Sequence, residues 1–156
     1  MSTYTELTNN LERLELTKII DLLPNYLDEA IAGNKTFVDI LKDLTDAEIK
    51  FRDERARQIN LTISHFPFLK TINDFEFSYQ PSVNKSQILD LATLRFIEQN
   101  ENILLIGSSG VGKTHLAVSL GIEAVTKHCS TYFIHFNDLM SRFKTAAKEG
   151  RIQQQE

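Results

Sequence analysis

Eight consecutive residues have the types and the spacing that bind phosphate, following the pattern G-x-x-x-x-G-K-[ST]. They are Gly107, Ser108, Ser109, Gly110, Val111, Gly112, Lys113 and Thr114. Glycines allow the backbone to curl so that successive N–H groups point inward at phosphate oxygens. Lys113 then supplies a positive charge for the β and γ phosphates, and the Thr114 hydroxyl is the expected Mg²⁺ ligand. We therefore predict that this loop binds ATP or GTP together with Mg²⁺.

The elements on either side of the loop fit the same prediction. Residues 103–106 form a short continuous apolar run, which is typical of a strand buried on both faces. Residues 113–126 carry an apolar stripe at helical spacing (Leu116, Ala117, Leu120, Ala124), so the positive end of a helix dipole would lie under the phosphates. Residues 132–136 predict a second strand, and Asn137-Asp138 predicts the cap of a helix that continues to Ala147.

Helices and strands that alternate in this way predict an α/β domain with a parallel sheet, preceded by a helix over 88–96 that Ser86 would cap. Residues 1–80 differ from it in charge, with a net −5 against +1 for residues 81–156. We place a boundary near Pro81 and expect residues 1–80 to be a helical N-terminal domain with an aromatic connector, residues 66–77. Residues 81–156 would then be the α/β domain that carries this phosphate-binding loop, or P-loop.

The first half is predicted to be helical. Leu16, Ile20, Leu23, Leu27 and Ala30 recur at helical spacing, with Pro24 as a kink or boundary and Gly33-Asn34 as a stop signal. Thr45 to Glu48 fits a capping box, in which Glu48 would reach back to the start of its own helix. The helix it opens would carry Ile49, Ala56, Ile59 and Ile63 on one face and end before Pro67.

Composition excludes several classes of protein. The chain of 156 residues has 42% hydrophobic and 24% charged residues, values typical of a globular fold and not of a disordered or fibrous one. The net charge of −4 gives no support to nucleic-acid binding by charge alone. We expect a protein of the reducing cytoplasm, because Cys129 is the single cysteine, and neither a membrane span nor a signal peptide is evident.

Other residues allow more than one interpretation. His115 could approach a phosphate or simply occupy the first turn of its helix, and Phe75, Phe77 and Tyr79 could form a wall of an adenine pocket or pack as a connector. Lys50, Arg52, Arg55 and Arg57 could contact DNA phosphates, but the interleaved acids favour a solvated face with internal ion pairs. The histidines and Cys129 have no zinc-binding spacing. Gly121 is expected to allow its helix to pack closely on the sheet.

The run Gly107–Ala117 (GSSGVGKTHLA), with Gly121 and Ala124, resembles the IstB-like helper ATPases of insertion-sequence transposition. These are grouped with the DnaC-type replication helicase loaders in the AAA+ superfamily. The resemblance extends upstream to Phe66-Pro67, Lys70-Thr71-Ile72 and Phe75-Glu76-Phe77, and downstream to Phe136-Asn137-Asp138-Leu139. It covers roughly residues 10–150, and residues 66–147 are its most specific part.

The resemblance implies a protein that binds ATP, forms homo-oligomers along DNA and regulates a transposase. It also implies that residues 81–156 are an incomplete AAA+ P-loop ATPase core. Family members are longer, and their Walker B aspartate and glutamate lie beyond the stretch that this chain matches. No apolar strand ending in Asp-Glu follows Thr114 here. Because the P-loop supplies only a phosphate cradle and one metal ligand, we expect a truncated form that does not hydrolyse ATP alone.

Three alternatives remain open. A DnaC-type helicase loader would use the same nucleotide site with a replicative helicase as its partner. A small-molecule kinase is disfavoured, since about a hundred residues precede the loop where such kinases usually begin with it. A non-enzymatic remnant, folded only in its helical half, would act at most as a partner-binding module.

Overall fold

The computed structural model describes residues 2–33 and 35–148, and it divides them into two compact units. The helices are α1 (Thr3–Arg13), α2 (Thr17–Ile31), α3 (Phe37–Ile63), α4 (Lys85–Leu91), α5 (Arg95–Glu98), α6 (Lys113–Thr126) and α7 (Phe136–Lys148). Two 3₁₀ helices, Ile72–Asp74 and Phe77–Tyr79, lie between α3 and α4. The division falls between Gln58 and Ile59, inside α3, whereas composition placed the boundary near Pro81.

The first unit is a helical assembly whose core is formed by α2 and α3. Ile19 and Leu23 of α2 pack with Ile40 and Leu44 of α3. The predicted α2 stripe is only partly correct, because Leu27 is exposed and Ile19 is buried in its place. Pro24 lies inside α2 without ending it, and Gly33 follows α2 at φ +70°, which confirms a stop at this point. Asn34, the other half of that predicted stop signal, lies outside the described residues.

The capping box predicted at Thr45–Glu48 is wrong, because α3 runs through it. The Thr45 hydroxyl donates instead to the carbonyls of Leu41 and Lys42, so Thr45 sits in mid-helix. The side chain of Glu48 is buried and accepts from the N–H groups of Lys18 (2.8 Å) and Ile19 (3.1 Å) in the first turn of α2. That helix needs this long-range cap because Leu16, at its N-cap, has no polar side-chain atom.

The predicted apolar face of α3 is also not the face that packs. Ile49, Ile59 and Ile63 are more than half exposed. The buried residues of α3 are Ile40, Leu44, Glu48 and Leu61. Burial along this helix is therefore decided by what each half of it contacts, and the spacing of the isoleucines did not reveal those contacts.

The second unit is built around α6, which is buried on most of its sides. One cluster joins Leu116 and Leu120 to Ile72, Phe75 and Ile88. A second cluster joins Val118, Ile122 and Val125 of α6 to Leu61 near the end of α3. An α-helix that is apolar on most sides is expected to be central, and α6 takes that position between the two clusters.

The predicted parallel sheet is not confirmed, because no strand is present among residues 2–33 and 35–148. In the segment 103–106, Ile103 and Leu105 pack against the first cluster, while Leu104 and Ile106 are 81% and 84% exposed. The segment therefore buries one face instead of the two that were predicted. In the segment 132–136, the N–H of Phe133 donates to the Ser64 carbonyl at 2.8 Å, a contact with the chain just after α3.

Two helix boundaries also differ from prediction. The helix predicted over 88–96 is two helices, since the buried Leu94 takes a left-handed conformation (φ +68°) between α4 and α5. Asn84, not Ser86, caps α4, by accepting from the N–H of Gln87 at 3.2 Å. Helix α7 begins at Phe136, which places the predicted caps Asn137 and Asp138 inside its first turn.

Candidate functional site

The loop that matches the phosphate-binding pattern leads directly into α6. Gly110 (φ +81°) and Gly112 (φ +87°) both take left-handed backbone conformations that other residues adopt only with strain. Gly112 is the N-cap of α6, and the N–H groups of the first turn that follows have no partner within an α-helix. Within Gly107–Thr114, two glycines therefore take conformations that a curled loop requires, directly before the N-terminus of α6.

The side chain of Lys113 folds back over the loop. Its Nζ donates to the carbonyl oxygens of Gly107 (2.9 Å) and Ser108 (2.6 Å). These contacts place the ammonium group beside the loop backbone, where a phosphate oxygen would compete for it. Thr114, the predicted Mg²⁺ ligand, is exposed at the same helix end.

A cavity of about 450 Å³ opens beside the loop. Its walls are the loop itself, the segment 103–106, one side of α4 with the residues just before it, and Leu116 of α6. No Asp or Glu is among the described residues that line it. The described lining of the cavity therefore offers an ammonium group, amides and apolar surface. It offers no carboxylate that could hold a metal ion.

The aromatic connector packs against the loop at Gly112. A Cβ at this position would lie 2.5 Å from Cε2 of Phe75. The Phe75 ring is buried and meets Phe77 edge-on at 4.8 Å between centroids, while Tyr79 is 82% exposed. Of the two interpretations of these aromatics, packing of the connector against the core is the one that Phe75 adopts.

His115, in the first turn of α6, contacts the same connector. Its Nε2 lies 3.0 Å from the carbonyl oxygen of Thr71, and since a carbonyl only accepts, Nε2 is the donor. The His115 ring also meets Phe75 edge-on at 5.2 Å. His115 thus points toward the connector, and the interpretation that it contacts a phosphate gains no support from its geometry.

Comparison with known proteins identifies the family of this chain. The profile of the family described as IstB-like ATP binding protein matches residues 9–156. The chain belongs to the IstB-like family. The resemblance seen in the sequence is confirmed over nearly the whole chain.

Similar proteins come from several bacterial insertion sequences. The chain is 44% identical over 152 residues to a protein named as ATP-binding in insertion sequence IS232 of Bacillus thuringiensis subsp. berliner. It is 38% identical over 141 residues to one from IS5376 of Geobacillus stearothermophilus and 31% identical over 150 residues to one from IS21 of Pseudomonas aeruginosa. These alignments cover 97%, 90% and 96% of this chain but 61%, 56% and 57% of the relatives. The chain thus spans less than two thirds of the relatives' length.

Two arginines of α3, Arg52 and Arg57, form ion pairs within the first unit. Arg57 donates to both carboxylate oxygens of Glu54 (2.9 and 3.1 Å), which raises the pKa of Arg57 and lowers that of Glu54. Arg52 donates to Glu48 at 3.1 Å and to the carbonyl of Glu15 at 2.9 Å. Two of the four cations proposed for DNA therefore form the internal pairs that the interleaved acids predicted.

An open groove in the first unit contains the other arginine, Arg55. Its volume is about 600 Å³, and Glu12, Glu15 and Glu48 line it together with Arg52. Three carboxylates against two guanidinium groups do not make a surface that attracts phosphate by charge.

Within the described residues, no helix is long and apolar enough to cross a membrane.

The sequence did not predict that the connector would contact the loop. A signal for it exists, because Phe66 and Phe75 are nine residues apart and so are Gly112 and Gly121. In the structure Phe75 lies on Gly112, and Phe66 lies on Gly121, where a Cβ would be 2.7 Å from Cε1 of the ring. The connector therefore runs antiparallel to α6, and Gly121 makes room for an aromatic ring instead of a sheet.

Proposed function

We propose that this chain binds ATP with Mg²⁺ at Gly107–Thr114 and acts in an insertion-sequence helper protein that binds DNA and regulates a transposase. The observation that carries the proposal is the pair of left-handed glycines, Gly110 and Gly112, leading into the free end of α6 beneath Lys113. Membership of the IstB-like family and the names of the relatives support ATP as the nucleotide. Transposase and DNA are proposed as partners because those relatives come from insertion sequences.

We infer that the chain binds nucleotide without hydrolysing it alone. Lys113 and Thr114 supply a phosphate contact and one metal ligand, and hydrolysis also needs a positioned water and further anchoring of Mg²⁺. The cavity beside the loop contributes no carboxylate from the described residues. Purified chain should release no phosphate above the level of a Lys113→Ala variant, and steady release that Lys113→Ala abolishes would refute this part of the proposal.

The segments 103–106 and 132–135 are proposed as core strands of a parallel sheet in the AAA+ manner, since α7 already begins at Phe136. Side chains in 103–106 alternate between packed and exposed, as they do along an extended chain. Leu104 and Ile106 share the exposed face of this segment, and an element that packs on that face of the sheet would cover them. Backbone chemical shifts or infrared spectra of a chain extended to the length of its relatives would show added strand content if this is correct.

Titration with a fluorescent ATP analogue in the presence of Mg²⁺ tests the nucleotide site. Saturable binding to the parent chain, abolished by Lys113→Ala, supports the proposal. Lys127→Ala is a matched control, because it also removes an amine that donates to backbone carbonyls, those of Ala92 and Thr93, but at the end of α4. Equal affinity of the parent and Lys113→Ala would refute the assignment of the loop.

The partner is tested separately with the same proteins. The purified chain with ATP and Mg²⁺ is offered the transposase of its own element and, in parallel, the host replicative helicase. Retention of the transposase that depends on Lys113 supports the proposed role. Retention of the helicase alone would show that the chain works as a DnaC-type loader.

A further inference from the structure

We propose that the aromatic connector, residues 66–77, is a brace that sets the conformation of the phosphate-binding loop, and that Phe75 and His115 are its positioning residues. The inference deepens the proposed function by naming what shapes the nucleotide site, and it rests on that function only in calling the loop a nucleotide site. Neither residue is one of the eight that match the phosphate-binding pattern. Both act through the loop and the first turn of α6.

The first contact of the brace is steric. Cε2 of Phe75 lies 2.5 Å and Cζ lies 3.2 Å from where a Cβ of residue 112 would stand. The ring therefore occupies the space that any other residue type would need, immediately at the N-cap of α6. Phe75 is itself packed in the first cluster with Ile72 and Leu116, so the loop packs against a ring whose own position is fixed.

The second contact is a hydrogen bond that ties the first turn of α6 to the connector. The Thr71 carbonyl accepts from Nε2 of His115 at 3.0 Å and from the N–H of Asp74 at 3.2 Å. The carboxylate of Asp74 in turn accepts from the N–H (2.7 Å) and the hydroxyl (2.8 Å) of Thr71. Thr71 is thus fixed on both sides, which makes its carbonyl a defined anchor for His115.

A third contact fixes the direction of the connector. Phe66 lies over Gly121, nine residues along from Gly112, so the connector covers about 14 Å of α6 at 1.5 Å per residue. Phe66 belongs to the second cluster, with Val118 and Ile122, and not to the loop. Phe66 therefore provides a matched control for Phe75, since each is a phenylalanine lying on a glycine of the same helix.

Hydrogen–deuterium exchange of the nucleotide-free chain tests the brace directly. His115→Leu keeps an apolar side chain but removes the donor to Thr71, whereas His115→Gln places an amide nitrogen near the position of Nε2. Amides of the loop should exchange about fivefold faster in His115→Leu, the change expected for one net hydrogen bond, and return to near the parent rate in His115→Gln. His135→Leu removes an exposed imidazole before α7 and should leave the loop unchanged.

Phe75→Leu provides the second arm, with Phe66→Leu as its control. Phe75→Leu should speed exchange in the loop, while Phe66→Leu should speed it in the C-terminal half of α6 and leave the loop near the parent rate. The His115 variants carry the test if Phe75→Leu fails to fold, because His115 lies at a helix end and not in the buried clusters. Unchanged loop exchange in His115→Leu, or no recovery in His115→Gln, would overturn the inference.

The nucleotide readout separates this inference from the proposed function. Affinity for the fluorescent ATP analogue should fall about fivefold in His115→Leu and recover in His115→Gln, in parallel with exchange. If the parent chain binds no nucleotide yet its loop still loosens in His115→Leu, the brace stands and the proposed function falls. If Lys113→Ala abolishes binding but His115→Leu changes neither exchange nor affinity, the proposed function stands and the brace is wrong.

Discussion

Replacing Gly112 with alanine tests the contact between the connector and the loop most sharply. The substitution forces alanine into φ +87° and places its methyl group 2.5 Å from Cε2 of Phe75. The left-handed backbone costs about 1–2 kcal/mol and the overpacking about 1–3 kcal/mol, so Gly112→Ala should lower the free energy of unfolding by about 2–5 kcal/mol. Nucleotide affinity should fall with it, because the same residue shapes the loop.

Gly110→Ala is the matched control for that substitution. Gly110 has nearly the same conformation, φ +81°, but an added Cβ would meet no described atom within 4 Å. Its expected cost is about 1–2 kcal/mol of backbone strain alone. The stabilising effect of a less flexible unfolded chain, about 0.4–1 kcal/mol, applies equally to both variants and cancels in the comparison. The difference between the two variants therefore isolates the contact with Phe75.

Urea unfolding followed by circular dichroism measures both variants, since the chain contains no Trp to report by fluorescence. Leucine has no ε carbons, so the Gly112→Ala and Phe75→Leu double variant should recover about 1–3 kcal/mol of the cost of Gly112→Ala. The reasoning is refuted if Gly112→Ala costs no more than Gly110→Ala. It is also refuted if the double variant recovers nothing.

Three further predictions concern stability. Gly121→Ala gains about 1 kcal/mol of helix propensity but inserts a methyl group 2.7 Å from a connector ring, so thermal melting should show a net loss of about 0–2 kcal/mol, and a gain would show that the ring moves freely. Glu48→Ala removes a buried cap of α2 and should cost about 1–3 kcal/mol, whereas Glu54→Ala breaks an exposed, solvent-screened pair and should cost clearly less; similar losses in urea unfolding would contradict the cap. Thr71 donates to the Asp74 carboxylate and lowers the pKa of Asp74 below its ordinary value of 3.8. The stabilisation of the folded chain by this interaction is therefore fully present above that value and is lost as the pH falls through the lower pKa of the folded state. Asp74→Asn should therefore flatten the pH dependence of unfolding in that window, and an unchanged slope would show that the carboxylate is not held.

Local patterns predicted the parts of the fold that depend on neighbours in sequence. The loop at Gly107–Thr114 and the helix after it follow from glycine chemistry and helical spacing within a few residues. The stop near Gly33 is of the same kind, because only a residue tolerant of positive φ ends a helix in that way. These features were predicted because the cause and the effect lie within one or two turns of chain.

The errors arose where the partner lies far along the chain. Glu48 fits a local capping box by spacing, yet its carboxylate caps α2, the helix that begins at Thr17. Its bond to the N–H of Lys18 joins residues that are thirty positions apart in the sequence. The energetic reason is that the N-terminus of α2 has no polar side chain at Leu16 to satisfy its amides, and an unsatisfied buried N–H costs about 1–3 kcal/mol. The competition between two possible uses of one carboxylate is decided by tertiary packing, which spacing does not encode.

The connector shows that long-range contacts can still leave a trace in the sequence. A glycine inside a helix lowers stability by about 1 kcal/mol relative to alanine, so Gly121 needs a neighbour that makes a side chain there more costly still. The sheet was the neighbour inferred from fold class, and the structure supplies Phe66 instead. Equal spacing of two aromatic residues and two glycines lets each ring meet one gap in the helix surface, and the structure pairs them in antiparallel order. In that order Phe75 is the partner of Gly112, so the predicted loop conformation depends on a contact that Gly112→Ala and Phe75→Leu both change.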